Sequence, residues 1–360
     1  MPKGPIPVRT SLVTEALRVM KQRIADNEWP SHLPGERSLA NTLHVGRDTI
    51  RMVLQELEND GWILPAQPGC RRMIAPDAAR KQSSPEALRV GVLSPQPLEQ
   101  LQQPMLLELD HIRGALAAKD GSMEFFSPRW HGLADPSAQL ETLIAEARCS
   151  SWILLRSTEA IQRWFHDHKI RCIVRGSIHA GIQLPFLDVD WEATARHAAG
   201  RLWRLGHRRV ALLVPTEPLL GIAAAKRGIQ GFNEDGFEPI EVEEDGTAAG
   251  LCRAAEAALI SPRPPSAFIA TRPRQVATLL TWLGSHGIRV PGKISIISLA
   301  DEQFLDHLVP AIDRYRTSPS SVARRVVRRV TSLTHTGNVQ KHKGWIIPKP
   351  IPGGSTGPAK

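Results

Sequence analysis

The sequence predicts an α/β protein in two parts: a small N-terminal unit of three helices and a hairpin, then a large unit of parallel sheets flanked by helices in two lobes. Three observations carry that expectation. Near the N-terminus, apolar residues recur at three- and four-residue spacing, the period of helices packed on one face. From Leu88 onward, short apolar runs alternate with amphipathic stretches, a β-then-α rhythm that builds parallel sheets. At 360 residues the chain exceeds one small domain, and its β–α stretch is long for one sheet but natural for two lobes.

Leu12, Ala16, Val19, Met20 and Ile24 place a first helix at about Ser11 to Asn27. Leu33-Pro34-Gly35 breaks the chain, and a short helix from Glu36 to about Leu43 buries Leu39 and Leu43. His44-Val45-Gly46 is expected to be a tight turn, with Gly46 supplying the permissive backbone. A third helix, Arg47 to about Asp60, buries Ile50, Val53, Leu54 and Leu57, and Gly61 stops it. Trp62-Ile63-Leu64 and Arg72-Met73-Ile74 read as two strands joined by a turn at Gln67-Pro68-Gly69. Three helices followed by a hairpin are the parts of a winged helix-turn-helix, assigned to residues 1–75.

Residues 76–87 are polar, with serines and prolines, and read as a linker. In the remainder, 88–360, strands are expected at Arg89–Leu93, Met123–Phe126, Trp152–Leu155, Ile173-Val174, Val210–Val214, Ala267–Ala270 and Ile294–Ser298. Helices are expected at about Leu106–Ala118, Ser137–Ala147, Trp191–Leu205, Ala223–Glu234, Leu251–Ile260 and Gln275–His286.

Composition narrows the function classes. Apolar residues make up 42% and charged residues 22%, which is ordinary for a globular chain. Net charge is +9, but residues 1–75 hold only +2, the stretch after Asp313 holds +10 and the middle is −3. A nucleic-acid partner must therefore be argued from local pattern rather than bulk charge. Cys70, Cys149, Cys172 and Cys252 are scattered with no C-x-x-C pair, so neither a disulfide framework nor a zinc site is expected. Without a long apolar run or a leader-like N-terminus, the expected compartment is the cytoplasm, with no membrane partner.

Leu33-Pro34-Gly35-Glu36-Arg37-Ser38-Leu39-Ala40, Leu43 through Arg51 and Leu54 through Ile63 closely resemble the GntR-type winged helix. The large unit resembles, more loosely, the effector domain of LacI-type regulators, which shares the two-lobed periplasmic-binding-protein-like fold. Val189-Asp190 with the following helix, and Leu205-Gly206-His207-Arg208-Arg209-Val210-Ala211-Leu212, carry that likeness. Gly231-Phe232, Gly287-Ile288-Arg289-Val290-Pro291 and Gly353–Pro358 support it. The resemblance implies a sequence-specific DNA-binding regulator, expected to repress. A small ligand between the lobes would set its operator affinity, and it would work as a homodimer on operator DNA without cofactor, metal or catalysis.

In the reader, Arg47 and Arg51 lie four apart and share a helix face opposite Ile50 and Leu54. Arg can bond guanine in the major groove with both arms. Arg37 approaches DNA by resemblance, and Thr49 is placed for a phosphate. The wing residues Gln67, Gly69 and Arg71, with Arg72, face a minor groove or its phosphates. Gly46 stands where the family usually has Ser or Thr. Asp48 is acidic on the DNA-proximal turn, where it either accepts from cytosine or favours the helix N-terminus.

In the sensor, ligands are expected at loops after the strand C-termini. That selects Ser94, Gln96, Arg129, Arg156, Arg175, Asp190, Arg227, Arg272 and Asp301. Compared with sugar-binding relatives, Arg156 and Arg175 replace Asn or Asp, Thr271-Arg272 replaces an Asn-Asp pair and Ala300 replaces a carboxylate. Gly228 stands where an Arg is usual, with Arg227 one position off. Guanidiniums in place of carboxylates favour an anionic sugar derivative over a neutral sugar. Two alternatives stay open: a degenerate sensor that only dimerises, and a regulator fused to an enzyme-like domain. An aminotransferase fusion would need a longer chain and a pyridoxal lysine motif. Gly353-Gly354-Ser355-Thr356-Gly357 matches a nucleophile-elbow pattern too near the chain end to work as one. His166-Asp167-His168 reads as a wet helix end, and Arg324, Arg325, Arg328 and Arg329 as the solvent side of a helix with a valine stripe.

Overall fold

The computed structural model describes residues 12–25, 28–64, 71–75, 88–336 and 344–359. The chain divides into two compact units, Met1–Glu86 and Ala87–Lys360.

The first unit holds α1 (Leu12–Ala25), α2 (Glu36–Leu43) and α3 (Arg47–Asn59). In α3 the buried residues are Ile50, Val53, Leu54 and Leu57, one stripe at helical spacing. They close a core with Met20, Ile24, Leu33 and Leu39. Each fully buried side chain of this size contributes about 1.5–3 kcal/mol. Two expectations change here. Gly46 has ordinary extended backbone as the N-cap of α3, while His44 takes the left-handed conformation at φ 52°. The permissive position in the turn is therefore His44. The two wing strands reduce to single bridges. Segment 71–75 lies between two partners, pairing Ile74 with Ile63 and Met73 with His32. The expected turn with Gln67 and Gly69 lies outside the described residues, as does the expected linker.

In the second unit, the first lobe runs β1 (Arg89–Leu93), α4 (Gln103–Ala117), β2 (Ser122–Phe126), α5 (Ser137–Ala147), β3 (Ser151–Leu155), α6 (Glu159–Asp167), β4 (Cys172–Arg175) and β5 (Phe186–Val189). The second runs α7 (Trp191–Arg204), β6 (Arg209–Pro215), α8 (Leu220–Gln230), β7 (Glu238–Glu244), α9 (Ala248–Leu259), β8 (Ala267–Ala270), α10 (Pro273–Ser285), β9 (Ser295–Ser298) and β10 (Asp313–Arg316). The chain then returns through α11 (Pro319–Thr336), β11 (Trp345–Ile346) and β12 (Lys349–Ile351). Strands β3, β8 and β9 are buried along their whole length, as parallel strands covered on both faces must be.

Sheet order is β11-β5-β4-β3-β1-β2 in the first lobe and β12-β10-β9-β8-β6-β7 in the second. All pairings are parallel except β10 with β12. In each sheet the chain winds one way from its first strand and then the other. The order reverses between β1 and β3 in one lobe and between β6 and β8 in the other. Crevices at such reversals are where open parallel sheets bind ligands.

Tail and helix residues set aside on sequence grounds have structural tasks. The Ser355 hydroxyl is buried, donates to the Ile296 carbonyl at 2.7 Å and accepts from the Asp313 amide at 2.8 Å. It staples the tail to the second sheet. The α11 valines Val322, Val326, Val327 and Val330 join the first-lobe core. Arg325 bonds the Trp345 carbonyl at 3.1 Å and Arg329 bonds that of Phe186, while Arg324 and Arg328 are exposed. His168 stacks on Trp164 and His166 pairs with Asp167.

Candidate DNA interface and ligand cleft

In the first unit, Arg37 and Arg47 are exposed near the starts of α2 and α3. Neither has a hydrogen-bond or ion-pair partner among the described residues. Both helices have glycine N-caps, Gly35 and Gly46, with no side-chain cap. Their first backbone N–H groups stay open, and such ends suit phosphate. Thr49 is half-buried and Arg71 exposed. Arg51 differs from Arg47. Its Nε bonds Glu36 at 3.2 Å and its Nη1 bonds Asp48 at 3.3 Å. Asp48 therefore pairs within its own helix, and its carboxylate in the first turn also complements the helix dipole. Arg72 is drawn inward to Glu58 at 2.8 Å.

In the second unit, the loops at the two sheet reversals meet. Gln96 follows β1, Arg156 follows β3, Glu217 follows β6 and Arg272 follows β8. The Arg156 guanidinium donates to Gln96 Oε1 at 3.2 Å and, across the cleft, to Glu217 Oε1 at 2.6 Å. Arg272 donates to Glu217 Oε2 at 2.8 Å. Arg156 sits at φ 43°, a region a non-glycine residue occupies only when its surroundings hold it there. Burial opposes ionisation of Glu217. The Arg272 hydrogen bond and the charges of Arg156, Arg272 and Arg274 outweigh it and hold the carboxyl below its usual range. Arg272 is set by Gln275, whose Oε1 accepts from the Arg272 amide at 2.9 Å while its Nε2 donates to buried Glu244 at 2.9 Å. A second bridge, Gln103 Nε2 to Gln303 Oε1 at 2.7 Å, spans the same cleft.

The remaining sequence candidates are placed differently. Ser94 is buried and shapes the turn before Gln96 by bonding its amide and carbonyl. Arg129 is exposed after β2. Arg175 does not join Arg156 and Arg272. It is about nine-tenths buried and its fork is taken by Glu108, at 2.8 and 3.1 Å. Asp190 caps α7 by accepting from the Ala193 amide at 2.9 Å. Asp301 accepts from Arg314 and Arg316, each at 2.5 Å. Arg227 is exposed and bonds Glu192 at 3.3 Å. A Cβ at neighbouring Gly228 would overlap the Glu192 carbonyl, so close packing of α8 on α7 excludes a side chain there.

Two residues escaped the sequence reading. Glu217 lies in the loop after β6, the one reversal loop from which no candidate was drawn. His131 follows β2, two residues beyond Arg129. It is 3% exposed, and its Nε2 has no hydrogen-bond partner among the described residues. Burial and the Arg156 charge push its pKa down to about 4, so it is neutral at neutral pH. A cavity of about 580 Å³ beside Phe126, Trp130, Leu143 and Glu146 lies at the edge strand β2 rather than at the sheet reversal. Among the described residues no group of acidic, histidine or cysteine side chains has a metal-holding arrangement.

Comparison with known proteins agrees with this layout. Residues 11–69 match the gntR family of bacterial regulatory proteins, and residues 199–356 match a periplasmic binding protein-like domain. An arabinose metabolism transcriptional repressor from Geobacillus stearothermophilus is 23% identical over 291 residues, 76% of each chain. A LacI family transcriptional regulator from Bifidobacterium animalis superposes at TM-score 0.65 with 20% identity, over 76% of this chain and 100% of that one. A LacI family regulatory protein from Chloroflexus aggregans superposes at 0.65 with 17% identity, over 75% and 99%. At those identities the structural likeness speaks to fold. With the gntR-family match in front and the two-lobed sheets behind, this chain is a DNA-binding transcription regulator that joins a gntR-type reader to a sensor of periplasmic-binding-protein-like fold.

Proposed function

We propose that the protein is a cytoplasmic repressor whose operator affinity is set by a small anionic ligand, of the sugar-acid or sugar-phosphate class, bound between the two sensor lobes. The reader is 1–75, the linker 76–87 and the sensor 88–360. The observation that carries the ligand class is the meeting of Arg156 and Arg272, from opposite lobes, on a single carboxylate at the paired sheet reversals. An incoming carboxylate or phosphate offers these guanidiniums the same charge-assisted bonds, about 1.5–3 kcal/mol each. A neutral sugar offers weaker ones. The reading treats the chain as a binding protein rather than an enzyme. Repression is supported by the name of the Geobacillus relative.

The protein is expected to act as a homodimer, because one recognition helix reads too few base pairs for a specific site. Leu98, Leu106 and Leu107 on the first lobe are exposed apolar surface suited to self-association. Asp190 and Asp301 leave the proposed contact set, since each carboxylate serves a bond within the fold, and Arg227 leaves it because it does not meet Arg156 and Arg272 on Glu217. Arg175 leaves it because its fork is occupied by Glu108.

Calorimetry of the full chain against gluconate with glucose, glucose 6-phosphate with glucose, and arabinonate with arabinose tests the class. Preference for the charged member of a pair is the expected result. Preference for neutral arabinose, the sugar in the relative's name, would favour a neutral pentose effector instead.

A further inference from the structure

The cleft already contains an anion of its own. Glu217 places one carboxylate oxygen against each lobe's guanidinium, Oε1 on Arg156 at 2.6 Å and Oε2 on Arg272 at 2.8 Å. We propose that Glu217 is a tethered counter-ion that occupies the sensor's anion site between ligands and clamps one lobe to the other, and that a carboxylate- or phosphate-bearing ligand binds by exchanging with it. The exchange half of this inference rests on the anionic reading of the cleft given above; the clamp half does not.

Which side is fixed and which moves follows from the surroundings. Arg156 is held by its backbone conformation and by Gln96, both within the first lobe. Arg272 is anchored through Gln275 to buried Glu244, and its side chain is only 15% exposed. Glu217 has no such anchor. Its side chain is 49% exposed, and its hydrogen bonds among the described residues run only to the two arginines. It lies in a loop rather than on a helix or strand, so turning it out to water breaks no ladder. The permanent pairs of the sensor look different. Glu108 on Arg175 and Asp313 on Arg201 have carboxylates only 4% and 3% exposed, and removing either partner strands a buried charge. Exposed pairs are weak and yield to a competing anion.

The exchange balances charge. A ligand carboxylate replaces the Glu217 carboxylate on the two guanidiniums, and Glu217 regains water. Arg274 adds a further cation near the same carboxylate, so a dianionic phosphate is matched better than a monoanion. A neutral ligand cannot replace the charge it would displace, and this makes Glu217 a specificity-determining residue as well as a clamp.

Glu217→Gln in the full chain keeps the shape and removes the charge. Hydrogen exchange without ligand reads the clamp directly. Amides of 94–103, 156–158 and 299–305 should exchange about three- to tenfold faster in the variant, and in Arg156→Gln as a second route to the same loosening. Calorimetry with gluconate and with inorganic phosphate reads the exchange. Both should bind Glu217→Gln about three- to tenfold more tightly than the unaltered chain. Unchanged amide exchange in both variants overturns the clamp. Weaker anion binding by Glu217→Gln overturns the counter-ion role and makes Glu217 a ligand-binding group. Failure of both anions to bind either form overturns the anionic reading, and the exchange with it, while the amide data still decide the clamp.

Discussion

Two arginines at the helix starts of the reader and the arginines of the sensor cleft are set up in opposite ways. On the first unit Arg37 and Arg47 stand exposed with no partner among the described residues, next to helix ends whose amides are open. In the sensor, Arg156, Arg175, Arg227, Arg272, Arg314 and Arg316 each hold a carboxylate. The difference follows from the partner. A DNA backbone brings dense charge of its own and releases counter-ions on contact, so the reader need only leave cations solvated and suitably placed. A cleft that must close without ligand cannot leave guanidiniums unpaired, because dehydrating an isolated charge is expensive. Beside the open helix ends of the reader, unpaired arginine marks the surface that awaits a polyanion; in the sensor cleft, paired arginine marks either structure or a site already occupied from within.

Within the sensor the contrast sharpens between Arg175 and Arg272. Arg175→Ala strands Glu108, which is 3% exposed, and should cost about 3–5 kcal/mol of sensor stability. Arg272→Ala leaves Glu217 half in water and should cost about 1 kcal/mol or less. Urea titration of the full chain, followed by tryptophan fluorescence, separates the two. If Arg175→Ala unfolds like the parent yet abolishes anion binding, Arg175 belongs to the ligand cleft and the division drawn here fails.

In the reader the same comparison separates Arg47 from Arg51. Arg47→Ala should weaken operator binding by about 1–3 kcal/mol with relaxed preference at one position per half-site. Arg51 must first give up Glu36 and Asp48, so Arg51→Ala should lose less. Fluorescence anisotropy on operator and random duplexes, at two salt concentrations, measures both. Equal loss on the two duplexes would make Arg47 a phosphate contact. An effect of Arg51 larger than that of Arg47 would show that its ion pairs position it for the groove.

Protons probe the cleft without a ligand. His131 has an ordinary pKa of 6.5 when unfolded and about 4 when folded, because burial and then Arg156 oppose its charge. The unfolded chain therefore takes up this proton first. The stability this group contributes is full above about pH 6.5 and is lost as pH falls toward about 4, at no more than about 1.4 kcal/mol per unit. Burial also lowers the pKa of His207, against the opposing hydrogen bond that its ring donates to the Gly357 carbonyl, so it adds a slope of the same sign. His131→Gln should remove about 1.5 kcal/mol of the loss between pH 6.5 and 5 while the His207 part persists. An unaltered slope would mean that His131 is solvated.

Much of the fold was legible because its cause is local. Helix Glu36–Leu43, helix Ser137–Ala147 and strand Ala267–Ala270 have the expected ends, set by proline, glycine and apolar period within a few residues. Strand Glu238–Glu244 was missed because it is an edge strand with four glutamates, a charge load that guards an edge but hides the strand pattern. Helix Glu159–Asp167 was missed because its apolar residues fill barely two turns. The cleft was legible as a set of loops but not as a set of partners. Arg175 finds Glu108 across 67 residues and Arg156 finds Glu217 across 61, and spacing along the chain holds no trace of either pair. The Gly46 turn was misread for another reason: glycine signals either left-handed backbone or a helix cap, and only the structure tells which.

That distinction yields the smallest effect and a clean one. Gly46 caps α3 at φ −67° and ψ 152°, backbone that serine adopts freely. A Cβ there meets nothing nearer than the Thr49 hydroxyl at 3.9 Å, so the added side chain has room. Serine would give α3 the hydroxyl acceptor it lacks for an open first-turn amide. Because glycine is already a tolerable cap, Gly46→Ser should raise reader stability by only a few tenths of a kcal/mol, on the order of 0.3. The hydroxyl also stands beside the helix end proposed to meet phosphate, so affinity for random and operator DNA should rise together, by about twofold, with base preference unchanged. Parallel melting and anisotropy measurements on Gly46→Ser and Gly46→Ala separate the cap from the phosphate contact. Alanine offers the same Cβ without the oxygen and should lower both quantities. If serine stabilises the reader yet weakens DNA binding, the N-terminus of α3 does not face the phosphates, and the recognition role assigned to Arg47 at that end loses its footing.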